Sequence, residues 1–92
     1  MSYKIMEDIM NLNDLQINSR SAIEILYKTI LELLRMYPNG LTNSEIAQKL
    51  ELKSSHENAQ HDYLTYSLLG NMMKDGLIKK MKVKNKVLYT SG

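Results

Sequence analysis

The spacing of apolar residues changes once along this chain, and that change limits what it can fold into. Up to Lys74 they recur at three- and four-residue intervals, the period of a helix that buries one face. After Gly76, Met81 and Val83 alternate with Lys80, Lys82 and Lys84, and Val87 to Tyr89 forms a second β-like run. No repeat, low-complexity tract or Pro/Gly-rich linker separates the two regimes. With 92 residues there is room for one domain. The expectation is therefore a mostly α fold that closes on a small β-hairpin.

Punctuation divides the helical part. Ile5, Met6, Ile9, Met10 and Leu12 have the spacing of a short amphipathic helix, and the Asn-rich residues 11–19 read as a connector. A strong helix is expected from Ser19 or Ser21. Ser21 and Glu24 have capping-box spacing, and Ile23, Leu26, Tyr27, Ile30, Leu33, Leu34 and Tyr37 supply a buried face. Pro38-Asn39-Gly40 stops it. Thr42 and Glu45 repeat the capping-box spacing at the start of a short second helix carrying Ile46, Ala47 and Leu50. A third helix ends at Lys74 with Asp75-Gly76 as a glycine stop. Lys84-Asn85 provides the hairpin turn, with Asn85 tolerating positive φ. The boundaries drawn are an N-terminal extension over 1–18 and a domain over 19–92.

Charge is distributed unevenly. Residues 1–73 hold six basic and nine acidic groups, whereas residues 74–92 hold six lysines and only Asp75. That concentration of cations is the main functional clue, because nucleic-acid phosphates are the partner such a segment suits. A lysine stripe also guards an exposed sheet edge against aggregation, although one or two lysines would suffice for that.

Several chemistries are excluded or disfavoured. With no cysteine, the chain has no disulfide, thiolate nucleophile or Cys-ligated zinc. The four glycines form neither a phosphate loop nor a dinucleotide fingerprint, and there is no nucleophile elbow, so no enzyme activity and no cofactor are expected. His56 and His61, with Glu57 and Asp62 beside them, invite a metal reading. Five residues apart on a helix they would diverge by about 140°, and no metal is expected. The N-terminus carries acids where a signal peptide needs an apolar run, and no membrane-length stretch follows. A cytoplasmic location without membrane association is expected.

Two segments together carry a resemblance. Pro38 to Leu50 (PNGLTNSEIAQKL) looks like the opening of a winged helix-turn-helix domain. Leu68 to Ile78 (LLGNMMKDGLI) resembles that family's recognition-helix end, where a glycine precedes a Leu-Ile pair entering the wing. The resemblance spans about residues 20–90. It implies a three-helix core with a basic wing, here preceded by an extra N-terminal helical segment. It also implies a non-catalytic double-stranded-DNA-binding function of the prokaryotic transcription-regulator type.

One departure stands out. Ten residues lie between Leu52 and Tyr63, where compact helix-turn-helix units use three or four. Either the third helix starts early, capped by Ser54 or Ser55, or the segment is a long loop.

The resemblance implies that the N-terminal half of the third helix enters the major groove. On a helical wheel of residues 58–74, Leu64, Leu68, Leu69 and Met72 share the inward arc, while Gln60, Tyr63, Ser67, Gly70, Asn71 and Lys74 lie opposite with no carboxylate. Asn58, Gln60, Tyr63 and Ser67 are the candidate DNA contacts there, and Tyr66 is expected to pack. Thr42, Asn43, Ser44 and Lys53 could hold a phosphate at the second helix, and Lys80, Lys82, Lys84 and Lys86 would do so on the wing. The surplus apolar residues Ile5, Met6, Ile9, Met10 and Leu12 suit a homodimer contact, since symmetric dimers match paired half-sites. The same segment could dock a different protein, and a winged-helix interaction module or scaffold without DNA specificity is the competing reading.

Overall fold

The computed structural model describes residues 11–52 and 62–92. Over these residues the chain runs α1 (Leu12–Met36), α2 (Asn43–Lys49), α3 (Tyr63–Lys74), β1 (Lys79–Val83) and β2 (Lys86–Thr90). It is mostly helical, with one two-stranded antiparallel hairpin.

The first helix departs from expectation. Residues 11–19 are not a connector: α1 runs unbroken for 25 residues from Leu12, through residues 18 and 19. Its start is set by Asn11, whose side chain accepts from the Asp14 N–H at 2.9 Å while Asp14 reaches back to the Asn11 N–H. Asn11 and Asp14 thus form the capping box expected of Ser21 and Glu24, which lie inside the helix. The Asn-rich composition that suggested a loop holds the cap, a position that favours Asn for the same local hydrogen bonding.

At the other end, the Gly40 N–H donates to the Tyr37 carbonyl at 2.8 Å, turning the chain through Pro38 and Asn39. Thr42 then caps α2 as its spacing with Glu45 predicts. The third helix stops as foreseen. The Gly76 N–H bonds Met73 and the Leu77 N–H bonds Met72, with Gly76 at φ +76°.

Ile30, Leu33 and Leu34 of α1, Ile46 and Ala47 of α2, and Leu68, Leu69 and Met72 of α3 form the core with Leu41, Ile78 and Tyr89. The inward arc of α3 is rotated from the expected one. Thr65 is fully buried and Leu64 is 53% exposed. Thr65, Leu69 and Met72 are the residues shielded completely, which centres the arc between Leu69 and Met72 and leaves Leu64 on its flank. Tyr66, expected to pack, is 62% exposed.

The hairpin is fastened to this body. Leu41, between α1 and α2, exchanges both backbone hydrogen bonds with Tyr89, at 3.1 and 2.8 Å. Tyr89 and Ile78 meanwhile enter the core. An isolated two-stranded ribbon is marginal in water, so this anchorage holds it in place. Its two-residue turn puts the positive φ on Lys84 (58°), not on Asn85. Positive φ at the first loop position gives a twist that matches the strands, at a steric cost for any residue with a Cβ.

Two stability outcomes follow. Gly40 sits at φ +96°, and a Cβ there would lie 3.0 Å from Leu88 Cβ and 3.1 Å from Thr90 Cγ2. Gly40→Ala should destabilise by at least about 1 kcal/mol in urea unfolding. Lys84→Gly should stabilise by roughly 1 kcal/mol in the same assay, by relieving the turn.

Candidate nucleic-acid interface

The outward side of α3 presents Tyr63, Tyr66, Ser67, Asn71 and Lys74, all exposed, and half-exposed Gly70. No carboxylate interrupts this surface between Asp62, which is buried, and Asp75. Tyr63 and Ser67, expected to contact DNA, are both on it. Lys53, Asn58 and Gln60 lie outside the described residues, as do Ile5, Met6, Ile9 and Met10.

The hairpin lysines are all exposed but do not share one face. In the register Lys80 pairs with Tyr89, Lys82 with Val87, Val83 with Lys86 and Lys79 with Thr90. Cross-strand partners project to the same side. Lys80 and Lys82 therefore stand on the side that carries Tyr89, while Lys79 and Lys86 stand on the opposite one and Lys84 occupies the tip. Their even numbers suggest a single stripe. The two-residue turn pairs each even position with an odd one, so that parity reverses between strands. Burial pushes the Tyr89 phenol above its ordinary value, and Tyr66 adds to the shift. Tyr89, on the Lys80–Lys82 face, lies in the same core as Leu68, Leu69 and Met72 of α3.

The start of α2 is largely occupied by its own contacts. The Thr42 N–H donates to Glu45 Oε1 at 2.8 Å, and Thr42 Oγ1 accepts from the Glu45 N–H at 3.1 Å. Ser44 Oγ donates to Asp62 Oδ2 at 3.2 Å, and Asn43 Nδ2 donates to the Asp62 carbonyl at 3.3 Å. Thr42, Asn43 and Ser44 are thus engaged in capping α2 and clasping the start of α3. Asp62 is the structural partner of Asn43 and Ser44 that the sequence reading missed. An Asp directly before a helix suggests an N-cap, yet its side chain makes no cap bond and turns to Ser44 instead.

Glu45 places a carboxylate beside this surface. Its pKa is held below the ordinary 4.5, first by the Thr42 backbone N–H, against burial, and further by the Thr42 side chain and by the charges of Lys86 and Lys49. Lys49 also sits over the Tyr37 ring, 4.7 Å from its centroid. Among the described residues no group of His, Asp and Glu is arranged to hold a metal ion, and no helix is long and apolar enough to cross a membrane. No family model matches the chain, and no curated protein or solved structure matches it either.

A depressed carboxylate pKa stabilises the fold above the unfolded value and loses that contribution as pH falls through the folded one. Wild type should therefore exceed Glu45→Gln in stability at neutral pH. The gap should close as the medium is acidified below about pH 4.5, read as the urea midpoint against pH.

Proposed function

We propose that this chain is a winged helix-turn-helix protein that binds double-stranded DNA as a homodimer and acts as a small transcription regulator. The observation that carries the reading is the carboxylate-free outer side of α3 together with a lysine ribbon rooted in the same core. An α-helix fits the major groove, and polar side chains on its outer face reach base edges. Tyr63 and Ser67, both exposed on that side, are the described residues assigned that role in this reading. The element order, with Leu41 paired to β2 between α1 and α2, supports the winged architecture.

Phosphate attraction would supply most of the affinity, and α3 would supply selectivity. The division of the ribbon refines the assignment. Lys80 and Lys82, on the side that carries Tyr89, are the lysines that would follow the same duplex, with Lys84 at the tip reaching farther along it. Lys79 and Lys86 face away from that line, and Lys86 also acts on Glu45. With Glu45 and Asp62 closing off the start of α2, Thr42, Asn43 and Ser44 contribute by orienting α3 more than by offering free donors.

A second reading, a protein-interaction module, has one observation in its favour. Tyr63, Leu64 and Tyr66 form an exposed row at the start of α3, an apolar surface of the kind that protein partners cover. Whether the pure protein retards duplex DNA at low salt separates the two.

The decisive measurement is the salt dependence of duplex affinity. Six neutralised phosphates give a slope of about −5 in log K against log salt. Replacing Lys80 and Lys82 by Ala should flatten the slope by about 2, whereas replacing Lys79 and Lys86 should change it by less than about 1. Equal effects would remove the one-sided ribbon from the account. Ser67→Ala should alter site preference by ~1–3 kcal/mol where its hydroxyl meets a base, measured by selection from a random duplex pool.

A further inference from the structure

The first half of α1 is longer than the core requires. Among the described residues the helix packs on the other elements only from Leu26 onward, yet its apolar stripe continues toward the N-terminus through Ile23, Leu15 and Leu12. These three are 43%, 50% and 70% exposed, on the same side of the helix as buried Ile30 and Leu34. A surface helix draws most of its stability from packing such a stripe, so an occupant is called for.

The arrangement of the stripe indicates which occupant. Ser19 lies at its middle. Leu15 and Ile23 stand four residues to either side of it, and Leu12 and Leu26 seven residues to either side. Four and seven are the intervals that keep side chains on one helical face. Between Leu12 and Leu26 the stripe therefore has the same spacing in both chain directions, with a small residue at its centre. Gln16 and Ala22, three residues from Ser19 on either side, complete the symmetric face.

That spacing suits a two-fold contact, where residue i meets j while j meets i, because it sets apolar against apolar at every level. A partner of unrelated sequence places no such condition on the surface. Charge agrees with this choice. Asp14 and Glu24 point away from the stripe. Arg20, at its edge, lies four residues before Glu24, so the flank carries both signs.

We propose that two copies of this chain pair through α1 in antiparallel fashion about Ser19, placing Leu12 against the second copy's Leu26 and Leu15 against its Ile23. This rests on the homodimer part of the reading above and locates its surface on α1. Eight aliphatic side chains would then line about 21 Å of helix axis, fourteen residues at 1.5 Å each. The short central pair lets the two backbones approach closely.

The test uses the full chain without DNA. Sedimentation should give the mass of a dimer for wild type and of a monomer for Leu15→Glu and for Ile23→Glu. Helical circular dichroism should be retained in both variants, since both positions are half-exposed. The chain has no cysteine, so introduced thiols report geometry without background. Ser19→Cys should form a disulfide across the axis. Leu12→Cys should not link to itself, since two copies of that position would lie about 21 Å apart. Mixed with Leu26→Cys, it should form the mixed dimer.

Monomeric wild type, dimeric glutamate variants, or self-linking Leu12→Cys would each overturn the proposal. So would a glutamate variant that unfolds while wild type sediments as a monomer, because the stripe would then be covered within the chain. Since mass is read without DNA, a dimer that retards no duplex would refute the DNA reading and leave this pairing standing. A monomer that retards duplex would do the reverse.

Discussion

The reciprocal backbone pair between Leu41 and Tyr89 is the contact on which the arrangement of the molecule depends. It converts a marginal two-stranded ribbon into part of the body and fixes its direction relative to the helices. Gly40, just before it, lies so close to Leu88 and Thr90 that an added Cβ would force its neighbours to shift. The turn after α1 is therefore set by the strand that passes it as well as by its own sequence. Tyr89 completes the joint from the other side, spending a large aromatic on the core of a protein that has neither Phe nor Trp. A hairpin without such an inserted ring would have only its short strands to hold it.

Much of this was legible because local chemistry and global packing agree. Thr42 and Glu45 specify a helix start through two reciprocal hydrogen bonds, and no tertiary contact is needed to predict them. Gly76 stops α3 for a similarly local reason. The errors came where one local signal admitted two outcomes. The Asn-rich stretch was compatible with a loop or with a cap, and Asn11 with Asp14 resolved it toward a longer helix. Leu64 and Thr65 exchanged roles because a helical wheel gives angles but not the centre of the buried arc. That centre is set by the neighbouring helices.

The candidate surface was legible as composition and only partly as geometry. Lysine enrichment after residue 73 is plain in the sequence, but the face each lysine occupies depends on the length of the turn. With two residues in the loop, positions of equal parity in the two strands stand on opposite sides of the ribbon. Asp62 was hidden for another reason. Its partners, Ser44 and Asn43, lie eighteen and nineteen residues away in sequence, and no local pattern joins them.

That clasp has a consequence for how the two short helices are coupled. It joins the first turn of α2 directly to the residue that opens α3, bypassing the stretch of chain between them. The start of α3 is thereby held against α2 by contacts between residues eighteen and nineteen apart in sequence. A polar latch of this kind makes the mutual placement of the two helices a matter of three side chains, so that loss of the Asp62 carboxylate would loosen both helix starts at once.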